Sequence, residues 1–373
     1  MLPRFALPLD ARDFLRDYWQ KQPLWMPASA SGLELPDPDT LASLSLDEAV
    51  ESRLMLGAGK GPWQVRQGPF EETTFSQLPE QNWTLLLQSV DHYLTDVSLL
   101  LDSFRFLPGW RLEDIMISYA SRGGSVGAHF DRYDVFLLQA RGQRRWAIGP
   151  HCDESTPLLP HESLRLLDEM PEEEVHVAGP GDVLYLPPGV GHHGVALDDD
   201  CVTWSVGFRA PRLKDLLAAL TDEALEQDID PLFCDPGRSP PLMPGQLDDP
   251  DLKALKAAAL GLIGSDTSEA ALARLCSTPR QQALDFAVDC RHIRAAAPEA
   301  TLVRHGACRM LCSSSGAWIN GEHWPLNHDQ RQLAEYLSGQ RLYTADLLDQ
   351  LINQNNRELF GEWIERGYFE PLP

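Results

Sequence analysis

The apolar positions of this chain change period twice. Near the start they recur in short helical runs. Asp10 to Gln22 sets Phe14, Leu15 and Tyr18 on one side, opens on a capping aspartate and stops at Pro23, which predicts an amphipathic helix. Leu46 to Leu56, ended by Gly57, predicts another. Gly57-Ala-Gly-Lys-Gly-Pro62 reads as loop and Trp63-Gln-Val-Arg-Gln67 as a strand after it. Trp83 to Leu101, rich in leucine, valine and aromatic residues, predicts a helix over the core. From Arg111 the period becomes two: Arg111 to Ser121 places Met116 and Ser118 on one face, Ile117 and Tyr119 on the other. Val135 to Gln139 is a continuous apolar strand, Arg141-Gly142 a turn, and Arg145 to Ile148 the return strand. After a looser acidic insert from His151 to Glu174, strands resume at Glu174 to Ala178, Asp182 to Pro188 and Cys201 to Arg209. Short strands at a spacing of roughly 8–12 residues indicate a sandwich or barrel, and two sheets closing on a ligand are the jelly-roll solution.

Past Pro211 the helical period returns. Leu213 to Gln227, Asp251 to Leu262 and Arg280 to Ala297 carry Ala-rich faces, separated by a proline-rich loop from Asp235 to Pro250. The apolar faces between Leu213 and Ala297 exceed what one exposed layer needs, which predicts a two-fold homodimer built on them. Thr301 to Cys312 and Ala317 to Pro325 read as strands, the second broken by an Asn320-Gly321 turn, and helices follow around Asp329 to Leu337, Ala345 to Asn353 and Arg357 to Arg366. Helices with a small hairpin suggest a winged-helix module. From Thr301 on there are six Arg and no Lys against nine acidic residues, which favours a protein-facing or structural role over nucleic-acid binding.

Composition narrows this picture. At 373 residues and 43% apolar, the chain has material for two or three domains. No apolar run reaches the roughly 20 residues that span a bilayer, and the start lacks a long apolar segment, so a cytoplasmic location is expected. The seven cysteines form no framework, and Cys308/Cys312 lacks a companion pair, which predicts reduced structural thiols. A net charge of −24 repels nucleic-acid phosphate and favours a basic partner.

Within the β region, His129-Phe-Asp131 offers an imidazole and a carboxylate on one face of a strand. A second histidine from a distant strand would give two histidines and one carboxylate with open positions, the set that suits non-haem Fe(II) and oxygen. His151-Cys-Asp153 has the same spacing but follows Gly149-Pro150 and is expected off any strand, so it is set aside. The second histidine is expected from the stiff turn Pro187-Pro-Gly-Val-Gly-His-His-Gly194, at His192 or His193, with His176 as an ordinary strand residue.

Longer motifs carry more. Asp114-Ile-Met-Ile-Ser-Tyr-Ala120, Gly127-Ala-His-Phe-Asp-Arg-Tyr-Asp-Val-Phe136, Gln143-Arg-Arg-Trp146, Pro180-Gly-Asp-Val-Leu-Tyr-Leu-Pro-Pro-Gly189 and Ser205-Val-Gly-Phe-Arg209 together resemble the bacterial ribosomal oxygenases of the JmjC branch of the cupin superfamily. The likeness runs from Trp19-Gln-Lys-Gln-Pro-Leu24 to the C-terminus. It implies a mainly β double-stranded β-helix catalytic domain at 1–211, a helical dimerisation region at 212–299 and a winged-helix-like domain at 300–373. It also implies Fe(II), 2-oxoglutarate as co-substrate, and hydroxylation of an arginine of large-subunit ribosomal protein L-sixteen with release of succinate and CO2. On that pattern His129, Asp131 and His192 are the iron ligands. Arg144, fifteen positions after the first histidine, holds the distal carboxylate of 2-oxoglutarate, and Ser118 assists it. A guanidinium suits this role because it grips a carboxylate through two parallel hydrogen bonds and stays charged when partly buried. Tyr133 and Asp134, just beyond the ligand pair, can meet a target guanidinium, or can serve as strand packing and a turn cap. Two features depart from the family. His193 stands where relatives have an acidic residue, so the choice of His192 rests on spacing, and Ser121-Arg-Gly-Gly-Ser125 puts Arg122 near the mouth. A related histidyl hydroxylase and a cupin-like binding module without turnover are the competing functions.

Overall fold

The computed structural model describes residues 2–226, 231–234, 236, 249–264, 268–279 and 301–372. The expected helix at Arg280 to Ala297 and most of the loop from Asp235 to Pro250 lie outside the described residues. The first unit contains β1 (Arg4–Phe5), β2 (Leu24–Met26), β3 (Ala30–Ser31), β4 (Ser52–Leu56), β5 (Gln64–Gln67), β6 (Trp83–Leu87), β7 (Leu112–Ala120), β8 (Asp134–Arg141), β9 (Arg144–His151), β10 (Glu174–Ala178), β11 (Val183–Leu186), β12 (Val190–Ala196) and β13 (Cys201–Phe208). Eight form one sheet in the order β2-β11-β8-β13-β7-β6-β4-β5, and three form a second, β10-β9-β12. Consecutive strands β8 and β9, and again β12 and β13, belong to different sheets, so the chain wraps back and forth as a jelly roll.

Each face of the large sheet has its own core. On the outer side Phe136, Tyr185, Trp204 and Phe208 pack with Phe104 and with Phe14 of the helix Ala11–Asp17. Ring centroids lie 5.0 Å apart for Phe104–Phe136 and 4.9 Å for Phe136–Tyr185, a spacing at which an aromatic pair adds about 0.5–1.5 kcal/mol beyond burial. Asp10 caps that helix as expected, accepting from the Arg12 amide at 2.8 Å. On the inner side Val135, Leu137, Trp146, Ile148, Leu184 and Val190 close the space between the two sheets. This inner layer is the floor on which the polar site stands.

Two predicted helices are strands. Leu46 to Leu56 ends in β4, which pairs with both β5 and β6, while the helix lies earlier, at Pro38–Leu44, capped by Asp37. Trp83 to Leu101 opens with β6 and continues as short turns of helix at Thr95–Ser98 and Leu99–Phe104. β6 lies between β4 and β7 and is apolar on both faces, so no alternation betrays it.

Beyond Phe208, helices run at Leu213–Glu226, Asp249–Ile263 and Ser268–Ser277. The last unit has two three-stranded sheets and the helices His328–Ser338, Ala345–Leu351 and Arg357–Glu365 around a core with Trp363, Tyr343 and Phe369. The hairpin turn at Asn320-Gly321 is present, with both residues at positive φ. Arg309 ties this unit to the barrel, donating to the carbonyls of Leu112 at 2.7 Å and Glu113 at 2.6 Å, where β7 begins.

Candidate active site

His129 and His192 form an antiparallel pair that exchanges both backbone hydrogen bonds, His129 N–H to His192 O at 3.0 Å and His192 N–H to His129 O at 2.8 Å. Directly opposed residues project to the same side, and the two rings sit 4.3 Å apart. Asp131, two residues on, shares that side, and its carbonyl accepts from the Gly189 amide at 2.7 Å, pinning the segment to the turn before β12. Gly127, at φ +83°, starts the segment. That φ is one L side chains rarely adopt, so glycine suits the position, and a Cβ there would also have to displace the Leu166 side chain at 2.6 Å.

The tautomers are set by the backbone. Nδ1 of His129 lies 3.0 Å from the Gly127 carbonyl and Nδ1 of His192 3.0 Å from the Val190 carbonyl. A carbonyl only accepts, so each Nδ1 carries the hydrogen and each Nε2 keeps its lone pair. Those Nε2 atoms lie 3.9 and 3.7 Å from one Asp131 oxygen, and the three donor atoms all fall within 4.8 Å of one another. Burial, then the neighbouring His129, pushes the His192 imidazole down to about 4, which keeps it in the neutral, metal-binding form. Two neutral nitrogens and a carboxylate, oriented by bonds to the chain behind them, fit a first-row divalent metal. Among the described residues this is the one group of histidine, cysteine or acidic side chains so arranged. Burial instead pushes the Cys308 thiol up to about 11, as suits a structural cysteine.

The other candidates fall on either side of this centre. His192 and His193 lie on β12 itself, not in the turn before it, so alternation sends them to opposite faces. His193 lines a cavity of about 140 Å³ with Lys60, Asp168, Met170 and Glu172. His151 is also a strand residue, the last of β9, and not the loop residue expected. A Cβ at Gly189 would meet its ring, so it packs on the turn and not at the centre. His176 bonds Glu174 and stacks on Trp25 with centroids 4.5 Å apart.

Arg144 enters the interior from β9 and is 3% exposed. Its Nε donates to Thr203 Oγ1 at 3.0 Å and its guanidinium lies 5.7 Å from the Trp146 ring, but Nη2 is buried with no hydrogen-bond partner among the described residues. A buried guanidinium nitrogen left unbonded is costly, so the geometry fits an anionic ligand that the chain does not supply. Ser118 is buried on β7 directly opposite Thr203.

Asp134 is not brought to the mouth of the site. It is fully buried and accepts from Tyr185 Oη at 2.6 Å, Gln20 Nε2 at 3.0 Å and Arg111 Nη2 at 3.1 Å, so no face is left for a target guanidinium. Its carboxylate ties the end of the N-terminal helix to the barrel. Asp134→Ala is expected to destabilise the fold by about 3–5 kcal/mol by stranding Arg111, read as a lower midpoint in thermal or denaturant unfolding, with metal affinity of the folded fraction unchanged. Tyr133, by contrast, is 41% exposed.

Thr203 and Gln139 are polar neighbours of Arg144 that sequence reasoning missed. Each is a buried polar residue between apolar neighbours on its strand, Gln139 after Leu137-Leu138 and Thr203 between Val202 and Trp204, and that interruption is the signal that marks them.

Jelly-roll wrapping around a His-Asp-His centre defines a JmjC-domain protein, and residues 99–216 match the family model described as JmjC domain. A second model, an AraC-like ligand binding domain, matches residues 170–277. The chain is 41% identical over 233 residues to the probable ribosomal oxygenase of Haemophilus influenzae, covering 61% of this chain and 56% of that protein. It is 37% identical over 270 residues to the ribosomal protein uL16 3-hydroxylase of Escherichia coli, covering 69% of each. The structure of the E. coli ribosomal oxygenase YcfD with cobalt and 2-oxoglutarate aligns with a TM-score of 0.83 at 32% identity, over 98% of this chain and 99% of that one. The chain belongs to the ribosomal oxygenase family of JmjC proteins.

Proposed function

We propose that this protein is an Fe(II)- and 2-oxoglutarate-dependent oxygenase that hydroxylates an arginine side chain of ribosomal protein uL16. The observation that carries the reading is the pairing of the His129–Asp131–His192 cluster with Arg144, whose Nη2 is buried and unpartnered. His129, Asp131 and His192 hold the metal from one side. Arg144 takes the distal carboxylate of 2-oxoglutarate, with Ser118 and Thr203 beside it, and thereby orients the co-substrate toward the metal. Bound Fe(II) would supply the oxidising chemistry with O2 as the oxidant: one oxygen atom of O2 ends in succinate as 2-oxoglutarate loses CO2, and the other enters a C–H bond of the target as a hydroxyl. His129 and Asp131 are less buried than His192, which leaves that side for the target to approach, and exposed Tyr133 stands just beyond it. Mass spectrometry of ribosomal proteins from cells with and without the gene tests this: uL16 is expected to lose the mass of one oxygen atom at an arginine. The same loss at a histidine would move the assignment to a histidyl hydroxylase, and no succinate release with any basic substrate would leave a binding module.

The same reading includes a basic substrate drawn to a −24 chain in the cytoplasm. Apparent substrate affinity is expected to fall as salt rises, because attraction between exposed charges is screened over about 10 Å at 0.1 M. Affinity that does not change with salt would point to an apolar contact.

The helical region 212–299 serves as a homodimer interface in this proposal, and the C-terminal unit 300–373 as a winged-helix-like, protein-facing module with no nucleic-acid contact. Support for the dimer comes from the leucines exposed on two helices: Leu213 at 82%, with Leu217, Leu225, Leu252, Leu255 and Leu260. Light scattering at micromolar concentration is expected to return the dimer mass, and a monomer mass would count against the interface.

A further inference from the structure

The polar residues behind Arg144 are ordered by the direction of their hydrogen bonds. Ser118, Thr203 and Gln139 stand on the adjacent strands β7, β13 and β8, with Thr203 opposite both of the others. A bulge makes this possible: the register passes from Val202↔Arg141 to Thr203↔Gln139, skipping Ala140 and turning Gln139 to face Thr203. Gln139 Nε2 donates to the carbonyls of Arg141 at 2.7 Å and Gly142 at 3.4 Å, both in the hairpin leading to Arg144. Carbonyls only accept, so the amide cannot be flipped and Oε1 faces Thr203. Thr203 Oγ1 gives its one hydrogen to Oε1 at 2.9 Å, leaving lone pairs for Arg144 Nε at 3.0 Å.

We propose that Gln139 is a positioning residue for the co-substrate: through Thr203 it fixes the Arg144 guanidinium at Nε, leaving Nη2 for the distal carboxylate of 2-oxoglutarate. The inference rests on reading Arg144 as the carboxylate-binding residue. Affinity is measured by titrating 2-oxoglutarate into the cobalt(II)-loaded full chain by calorimetry, alongside the KM and kcat of succinate release. In Gln139→Leu the dissociation constant and KM are expected to rise about ten- to a hundred-fold, the weight of one hydrogen bond to a charged group, with kcat at saturation within about twofold. Thr203→Val, which leaves the hairpin bonds of Gln139 in place, carries the same expectation should Gln139→Leu fail to fold, and Thr203→Ser restores the wild-type value. Gln139→Glu keeps the shape but loses the donors and sets an anion behind Arg144, so it weakens binding at least as much. If the wild type binds no 2-oxoglutarate, the functional reading falls and this inference with it. If the wild type binds but Thr203→Val and folded Gln139→Leu match it, or Thr203→Ser is as impaired as Thr203→Val, the inference alone is overturned.

Discussion

Alanine at position 192 is expected to abolish turnover and sharply weaken metal binding, whereas alanine at 193 leaves the metal in place. The two residues are neighbours on β12 and present their rings to opposite faces. His192 is paired with His129 across two backbone hydrogen bonds, held neutral by burial and oriented through Nδ1, which turns its Nε2 lone pair toward Asp131. His193 borders the cavity with Lys60, Asp168 and Glu172, and its loss is expected to cost at most the roughly 10–100-fold seen when a residue supporting a ligand is removed. Titration of Fe(II) or Co(II) into each variant, followed by hydroxylation of a basic peptide, separates them. Full activity in His192→Ala with loss in His193→Ala would reverse the assignment, and no loss in either would remove the metal from this strand.

The second large effect is expected at Arg144. Arg144→Lys should raise the 2-oxoglutarate requirement about 10- to 100-fold while leaving metal affinity unchanged. A lysine keeps the charge but replaces a planar fork with a point donor, losing one charge-assisted hydrogen bond of about 1.5–3 kcal/mol. It also removes the Nε donor through which Thr203 Oγ1 holds the side chain, so the cation loses the bond that fixes its position. The measurement is KM for 2-oxoglutarate against kcat, with metal affinity followed separately. An unchanged KM would mean that another cation holds the carboxylate.

How legible these residues were depended on how far apart their determinants lie. His129 and Asp131 could be read as a pair two positions apart, but the strand expected for them is not there: they precede β8, and an isolated bridge between His129 and His192 holds the segment instead. Arg144 and Arg145, adjacent on β9, alternate between its faces: Arg144 is buried and Arg145 pairs with Glu172 outside. His192 was legible as a candidate but not as a choice. The expected turn is a strand, and only its pairing with His129 says which of two adjacent rings joins the His129–Asp131 cluster. Of the two roles open to Asp134 in the sequence, contact with a target or a structural one, the structure favours the second, because three donors from distant segments occupy its carboxylate.

The same division runs through the fold. Periodicity was enough for β7 to β11 and for β13, the N-terminal helix with its Asp10 cap, and the Asn320-Gly321 hairpin, because each is decided by residues within a few positions of one another. It failed at Leu46 to Leu56 and at Trp83 to Leu101, where strands buried on both faces lose the alternation that identifies them and only their sheet neighbours reveal what they are. By itself the sequence determined much of the local geometry and offered His129, Asp131 and the adjacent pair His192 and His193 as candidates. The tertiary structure decided which histidine completes the centre, that Asp134 is a strut, and that Gln139 and Thr203 stand behind Arg144. Those outcomes depend on hydrogen bonds between strands far apart in sequence, and a backbone carbonyl or a side-chain amide at such a distance leaves no periodic trace in the chain that contains it.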